Sequence, residues 1–441
     1  MGSSVHLVGV GGTGMCAVAS FLLEQGVKVS GSDRGDTAHL KTLVDKGLRL
    51  FSRHDSSNVG PETGELVYSV AVPHDSPELV EARRQGLKLL KYAEKVGEIL
   101  SARRGFCVAG THGKTTTSSM AAHILREAGK DPSFIIGAGV PQLEGSSHCG
   151  GEVFVLESCE FDRSFHNYRP ERAIITNVDL DHLDYYRDLA EIRDSFRVFA
   201  SQVGPGLLLV NGDDPTWKEW APHAKSYGFG PTCDFRIESP APRVGRIWRQ
   251  GKLLMEFELF LPGSHNILNA AAAAIQCLDL GVEAKVIAGS LKGFRGAERR
   301  FQVLCENADR TVIDDYAHHP VEIEAVLSMV HERYPGHKVV VVFQPHQHSR
   351  TRFLMEAFAE VLSKFDLTII PNIYFVRESE ELRREVTAGN LVAAIARHGG
   401  QAVHLSDEAA IAALAHSAGT PRVVLVMGAG DIWKLGRGLC G

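Results

Sequence analysis

Lys114 is the residue around which most of the chemistry in this sequence can be organised. It stands in Gly110-Thr111-His112-Gly113-Lys114-Thr115-Thr116-Thr117, between an apolar stretch at 106–109 and a segment of helical character that ends near Gly129. After a strand and before a helix, such glycines let backbone N–H groups close on phosphate oxygens, and the helix N-terminus adds partial positive charge. Lys114 then reaches the β- and γ-phosphates of a nucleotide, and the Thr115 hydroxyl ligates Mg²⁺. The loop is shorter than the general GxxxxGK[ST] form, because Val108 stands where that pattern has its first glycine.

Carboxylates follow where a metal would want them. Glu157 opens Glu157-Ser158-Cys159-Glu160-Phe161-Asp162 directly after the apolar VFVL, and His182 lies in TNVDLDHLDYY, 25 residues later. That separation matches one crossover to a neighbouring strand, so both side chains can face the phosphate loop. Oxygen ligands suit Mg²⁺, which keeps several waters and takes one or two carboxylates. A second glycine turn, Gly9-Val10-Gly11-Gly12-Thr13-Gly14, fits GxGxxG, with Asp33 19 residues on. It suits a pyrophosphate, with the acid on a ribose hydroxyl, and NAD and a UDP-sugar satisfy it equally. Asn266 and Asn269 lie one helical turn apart at the start of a small-residue helix, placed either to cap it or to read adenine's edge. Near the C-terminal end stand Arg299-Arg300-Phe301, Asp314-Asp315-Tyr316-Ala317-His318-His319-Pro320, and Gln347 to Arg352 directly after KVVVVFQPH. Arginines and histidines at the carboxyl end of a buried strand point to an anion site.

These residues need a scaffold of alternating strands and helices, and the sequence shows one. Strands are expected at 5–10, 27–32, 106–109 and 338–343, and helices at 15–25 and 353–365. This is the pattern of parallel sheets covered by helices, an α/β fold. The 441 residues exceed a single core and divide at about 104 and 298, giving segments 1–104, 105–298 and 299–441. Residues 231–252, rich in Pro, Arg and Ser, read as an irregular insertion or a hairpin. A net charge of −6 gives no electrostatic support for a nucleic-acid partner. No apolar run approaches the ~18 residues of a membrane helix. The eight cysteines form no CxxC pair and read as reduced thiols packed as small apolar residues. With no signal-peptide pattern at the N-terminus, the expected location is cytoplasmic.

In this order the motifs VGVGGTGM, SGSD, SVAVPHDSPEL, GTHGKTTT, TNVDLDHLDYY, PGSHNILNA, RRF, DDYAHHP, FQPHQHSRTR and MGAGDIWKLG resemble the Mur ligase family, from about residue 5 to 435 and most nearly its alanine-adding branch. The resemblance implies three domains, each on a mainly parallel sheet. The N-terminal one is Rossmann-like and binds a UDP-substrate, and the central one is P-loop ATPase-like. The C-terminal one is Rossmann-like, closes on ATP and binds the amino acid. The implied activity joins L-alanine to the lactyl carboxylate of UDP-N-acetylmuramate through an acylphosphate, using ATP and Mg²⁺, in peptidoglycan precursor synthesis. The alternative is a recycling ligase that adds a whole murein tripeptide to the same UDP-sugar. A monomer or homodimer is expected.

Residue roles follow from the same resemblance. Gly11, Gly12, Thr13, Gly14, Asp33 and Ser69 would bind the UDP-substrate. Gly110, Thr111, His112, Gly113, Lys114, Thr115 and Thr116 would cradle ATP, with Asn266 and Asn269 near adenine and Asp315 beside the nucleotide. Thr115, Glu157 and His182 would hold the metal. Arg300 would meet the γ-phosphate, while His318, a candidate base, and Arg350 would face the amino acid. The chain departs from the family at Arg197, 15 residues after His182, where several members carry a carbamylated lysine. It also departs at Gln347, where the alanine-adding branch usually has arginine, and at Glu160-Phe161-Asp162-Arg163.

Overall fold

The computed structural model describes residues 4–35, 37–181, 185–204, 206–376, 378–417 and 421–440. Its N-terminal sheet consists of β1 Ser4–Val8, β2 Val29–Ser32, β3 Arg49–Phe51, β4 Thr63–Tyr68 and β5 Lys88–Lys91. The order is β3-β2-β1-β4-β5, and every pairing is parallel. Strand order reverses at β1, so the turn after β1 opens on the crevice where such sheets take ligands.

The second sheet runs through β6 Arg104–Ala109, β7 Ser133–Val140, β8 Gly145–His148, β9 Val153–Glu157 and β10 Arg172–Ile175. It continues with β11 Leu208–Asn211, β12 Lys225–Gly228, β13 Phe235–Ala241, β14 Val244–Arg249 and β15 Lys252–Glu258. Its order is β15-β14-β13-β12-β11-β10-β6-β9-β7-β8. Along that order the neighbours from β7 through β9, β6, β10, β11 and β12 to β13 pair in parallel, and the short β8 runs antiparallel to β7. Residues 231–252 therefore extend the sheet: β13 and β14 are adjacent strands joined through Pro242 and Arg243, the latter in the left-handed region at φ 62°.

The third sheet holds β16 Gln302–Glu306, β17 Arg310–Asp315, β18 Lys338–Phe343, β19 Leu367–Ile370, β20 Ala402–His404 and β21 Arg422–Met427. The order is β16-β17-β21-β18-β19-β20, parallel except for β16 at the edge. KVVVVF and RVVLVM are central strands, and their apolar side chains on both faces lie under helices.

By compactness the chain forms two units, Met1–Glu238 with Gly245–Glu258 and Leu268–Phe294, and Ser239–Val244 with Leu259–Ile267 and Arg295–Gly441. The first unit carries two sheets because they share a core. The helix Thr13–Glu24 turns Phe21 onto Phe154 of β9, with ring centres 5.5 Å apart.

Two expectations need correction. The helix expected over 353–365 is the shorter Met355–Leu362, set off from a preceding helix His348–Phe353 because Leu354 leaves helical geometry at φ −101°, ψ 16°. The cysteines are not all free thiols: Cys305 and Cys440 are joined by a disulfide. Cys305 lies on the edge strand β16, and Cys440 follows the helix Trp433–Gly438 that packs into the same apolar cluster. Among the described residues no helix is long and apolar enough to cross a membrane.

Candidate active site

The turn after β1 is shaped by contacts that only glycine allows. Gly9 has φ 78°, and its neighbour across the crevice is Ser69, at the end of β4. A Cβ on Gly11 would stand 2.7 Å from Asp33 Cγ, and one on Gly14 would stand 2.9 Å from Tyr92 Cζ. Asp33 accepts hydrogen bonds from Gly11 N and Gly35 N, both at 2.8 Å. Gly12 caps the helix Thr13–Glu24 with no side-chain bond, so the first N–H groups of the helix face the turn. The glycine turn, Asp33 and Ser69 thus gather at the carboxyl ends of β1, β2 and β4.

The second turn follows β6. Gly110 at φ 131° and Gly113 at φ 81° bend the chain, and the helix Lys114–Glu127 starts at once. Asn177, after β10, brackets the loop: its Oδ1 accepts from His112 N at 2.8 Å and its carbonyl from Thr111 N at 3.1 Å. Lys114 Nζ donates to Gly110 O at 2.5 Å, Thr111 O at 3.0 Å and the Glu160 carboxylate at 3.0 and 3.2 Å. Burial alone would lower the Lys114 pKa, but Glu160 and other nearby acidic groups outweigh it and hold the ammonium charged. Thr115 Oγ1 donates to Glu157 Oε1 at 2.9 Å, and Gly137 N donates to Glu157 Oε2 at 2.6 Å. Thr116 lies half-buried on the same first turn. Asn269 reaches this loop, since a Cβ on Gly113 would meet its Oδ1 at 2.6 Å.

The third sheet holds its own group of charged residues. Asp315, at the carboxyl end of β17, accepts from Phe301 N at 2.6 Å and Ala317 N at 2.8 Å. Burial raises its pKa, and the nearby Arg300 opposes that rise. The Arg299 and Arg300 guanidinium groups lie 5.0 and 5.1 Å from the Tyr316 ring centre. Arg299 donates to the carbonyls of Gly428 and Gly430, which anchors the backbone beside Arg300. The residues on either side of Arg300 are left-handed, with φ 57° at Arg299 and 48° at Phe301. His318 Nδ1 lies 3.1 Å from Tyr316 O, and the His318 and His346 rings are 6.4 Å apart. Arg350 is on the short helix His348–Phe353, whose first N–H groups are taken by Glu378. Asn266, on the same compact unit, turns its amide back to Pro262 O at 2.7 Å.

The chain matches the domain families described as Mur ligase family, catalytic domain over residues 4–104, Mur ligase middle domain over 108–277, and Mur ligase, glutamate ligase domain over 299–430. The UDP-N-acetylmuramate–L-alanine ligase of Desulforamulus reducens is 38% identical, over 99% of this chain and 96% of that one. The enzyme of the same name from Bdellovibrio bacteriovorus is 37% identical, over 98% and 97%. The chain belongs to the Mur ligase family. The crystal structure of UDP-N-acetylmuramate–alanine ligase from Thermotoga maritima superposes on this Mur ligase with a TM-score of 0.83, at 28% identity over 99% and 98% of the two chains.

Several residues of this Mur ligase that shape the site are missing from the set of roles drawn from sequence. Glu160 holds Lys114, Asn177 brackets the loop, Arg299 anchors the segment around Arg300, and Glu378 caps the helix of Arg350. His182 lies outside the described residues. Thr115 and Glu157 offer a hydroxyl and a carboxylate at the helix start, an oxygen donor pair that fits Mg²⁺. Among the described residues no group of three or more His, Cys, Asp or Glu side chains could hold a metal.

Proposed function

We propose that this Mur ligase joins L-alanine to the lactyl carboxylate of UDP-N-acetylmuramate, consuming ATP and releasing ADP and phosphate, in peptidoglycan precursor synthesis. The observation that carries the reading is the loop at Lys114, with a charged ammonium and the Thr115–Glu157 pair at a helix N-terminus. Near full-length similarity to ligases of that name supports the choice of acceptor.

Charge governs the mechanism. The lactyl carboxylate attacks the γ-phosphorus of ATP, so two anions must meet, and cations have to offset their repulsion. Lys114 serves the β- and γ-phosphates and Arg300 the transferring phosphoryl group. Bound Mg²⁺, held by Thr115, Glu157 and His182, would neutralise phosphate charge as a Lewis acid. The resulting acylphosphate takes the neutral amine of alanine at its carbonyl carbon, passes through a tetrahedral oxyanion and expels phosphate. His318 accepts the ammonium proton that must leave before the amine attacks. Arg350 pairs with the alanine carboxylate, a planar partner for its guanidinium fork.

Within this reading residues 1–104 bind the UDP-substrate through Gly11, Gly12, Thr13, Gly14, Asp33 and Ser69. Residues 105–298 bind ATP through the loop 110–116 and Asn269, with Asn266 beside adenine. Residues 299–441 contribute Arg300, Asp315, His318 and Arg350. The enzyme works in the cytoplasm, where ATP and nucleotide sugars are supplied. Phosphate release with UDP-N-acetylmuramate and ATP, offered alanine, other amino acids or a murein tripeptide in turn, tests the proposal. Alanine-dependent release supports it, and tripeptide-dependent release with no response to alanine refutes it.

A further inference from the structure

The N-terminal sheet contains a buried polar cluster that the packing of its apolar core does not require. Glu78, on the helix Pro77–Arg84, and His6, on β1, are both fully buried. Glu78 Oε1 accepts from His6 Nε2 at 3.1 Å and Asn58 Nδ2 at 2.8 Å. Its Oε2 accepts from Ser32 Oγ and His54 Nδ1, each at 2.9 Å. The other His6 nitrogen meets Ser30 Oγ at 2.8 Å. A carboxylate withdrawn from water costs several kcal/mol unless donors replace its hydration. Burial would raise the Glu78 pKa, but the bonds from His6, Asn58, Ser32 and His54 together hold it below the usual range.

The cluster bears directly on the glycine turn. Ser32 is the last residue of β2, and its carbonyl accepts from Gly9 N at 2.9 Å and Val10 N at 3.1 Å. The next residue, Asp33, takes Gly11 N. One residue thus has its side chain fixed by Glu78 and its main chain fixing the turn. Asn58 also donates to Arg53 O at 2.7 Å, so the segment 53–58 is tied to the same carboxylate.

We infer that Glu78 is a positioning residue for the UDP-substrate, holding Ser32, and through it the turn from Gly9 to Asp33, in the shape that the pyrophosphate and ribose require. The inference rests on the assignment of that turn to the UDP-substrate. A merely structural carboxylate would lower thermal stability and the fraction of active enzyme while leaving each KM where it was. Positioning makes a different demand. In Glu78→Gln, all four donors lose their charged acceptor and the amide brings a donor of its own that faces two of them. The KM for UDP-N-acetylmuramate should rise by roughly tenfold or more, with kcat and the KM values for ATP and alanine held within about twofold.

Steady-state kinetics on the full-length enzyme decide the matter, with Asp33→Ala run in parallel. Ser32→Ala, which removes one donor and little volume, should raise the same KM by about threefold or more. A folded Glu78→Gln enzyme with an unchanged KM for UDP-N-acetylmuramate overturns the inference. If that variant does not fold, an unchanged KM in Ser32→Ala overturns it instead. If Asp33→Ala also leaves this KM unchanged, the assignment of the turn to the UDP-substrate falls, and the role of Glu78 with it. If Asp33→Ala alone weakens binding, only the role of Glu78 falls.

Discussion

Removing Lys114 should damage this enzyme twice, and the two effects can be separated. Lys114→Ala takes away the cation proposed to meet ATP, and ligation should be lost, while UDP-N-acetylmuramate should still bind because the turn proposed for it lies on another sheet. The same change leaves Glu160 facing the loop with its ion pair broken. The Glu160 side chain is only 3% exposed, and the Lys114 side chain 13%. Breaking a buried pair by removing one partner costs about 3–5 kcal/mol, because the remaining charge has lost its compensation. With about 2.1 cal/mol/K of unfolding entropy per residue, that corresponds in a 441-residue protein to a fall in Tm of roughly 3–5 °C. Replacing Glu160 by glutamine removes the stranded charge, so Lys114→Ala/Glu160→Gln should recover at least half of the loss and remain inactive. Urea denaturation of the four proteins gives the coupling energy, and phosphate release gives the activity. If the double variant loses the sum of the two single losses, Glu160 and Lys114 are not coupled and the account of this loop is wrong.

Three other outcomes follow from the site. Glu157→Gln should raise the Mg²⁺ concentration needed for half-maximal turnover, and normal turnover at limiting Mg²⁺ would remove Glu157 from the ligand set. Arg300→Ala should lower kcat by on the order of 10²-fold, as lost phosphate-stabilising donors do, whereas Arg350→Ala should chiefly raise the KM for alanine. A raised ATP KM with an unchanged alanine KM in Arg350→Ala would misplace the acceptor site. His265, whose pKa burial lowers to about 4, is kept neutral in the fold. The unfolded chain binds a proton near pH 6.5, so the folded state binds fewer protons between these values. His265 therefore gives a stability contribution that is complete above pH 6.5 and lost as pH falls towards 4, about 3 kcal/mol in all. Denaturation of His265→Asn across that range should show a flatter pH slope than the parent, and an equal slope would contradict the burial argument.

The glycine turns were legible because their constraint is local. Gly9, Gly110 and Gly113 take backbone angles that other residues resist, and each follows a strand and precedes a helix in the chain itself. The same holds for KVVVVF, whose apolar run has no place except between two covered faces. What could not be read depends on residues brought together by the sheets. Asn177 meets the loop only because β10 pairs with β6, and Glu378 meets the helix of Arg350 from a segment after β19. The disulfide of Cys305 and Cys440 joins positions 135 residues apart, with no motif to announce it. The break at Leu354 was hidden by an apolar pattern that continues across it. The two asparagines of PGSHNILN look equivalent in sequence, yet Asn269 reaches Gly113 and Asn266 turns to Pro262.

The central claim is that ATP activates the lactyl carboxylate and that alanine then displaces the phosphate. Isotope transfer tests this most directly. UDP-N-acetylmuramate labelled with ¹⁸O in the lactyl carboxylate is incubated with ATP, Mg²⁺ and alanine, and the phosphate and nucleotide products are weighed by mass spectrometry. One labelled oxygen should appear in the released phosphate, while the other stays in the amide of a product heavier by one alanyl residue. Phosphate released without label, or a labelled phosphate whose formation leaves no alanyl product, would contradict the account.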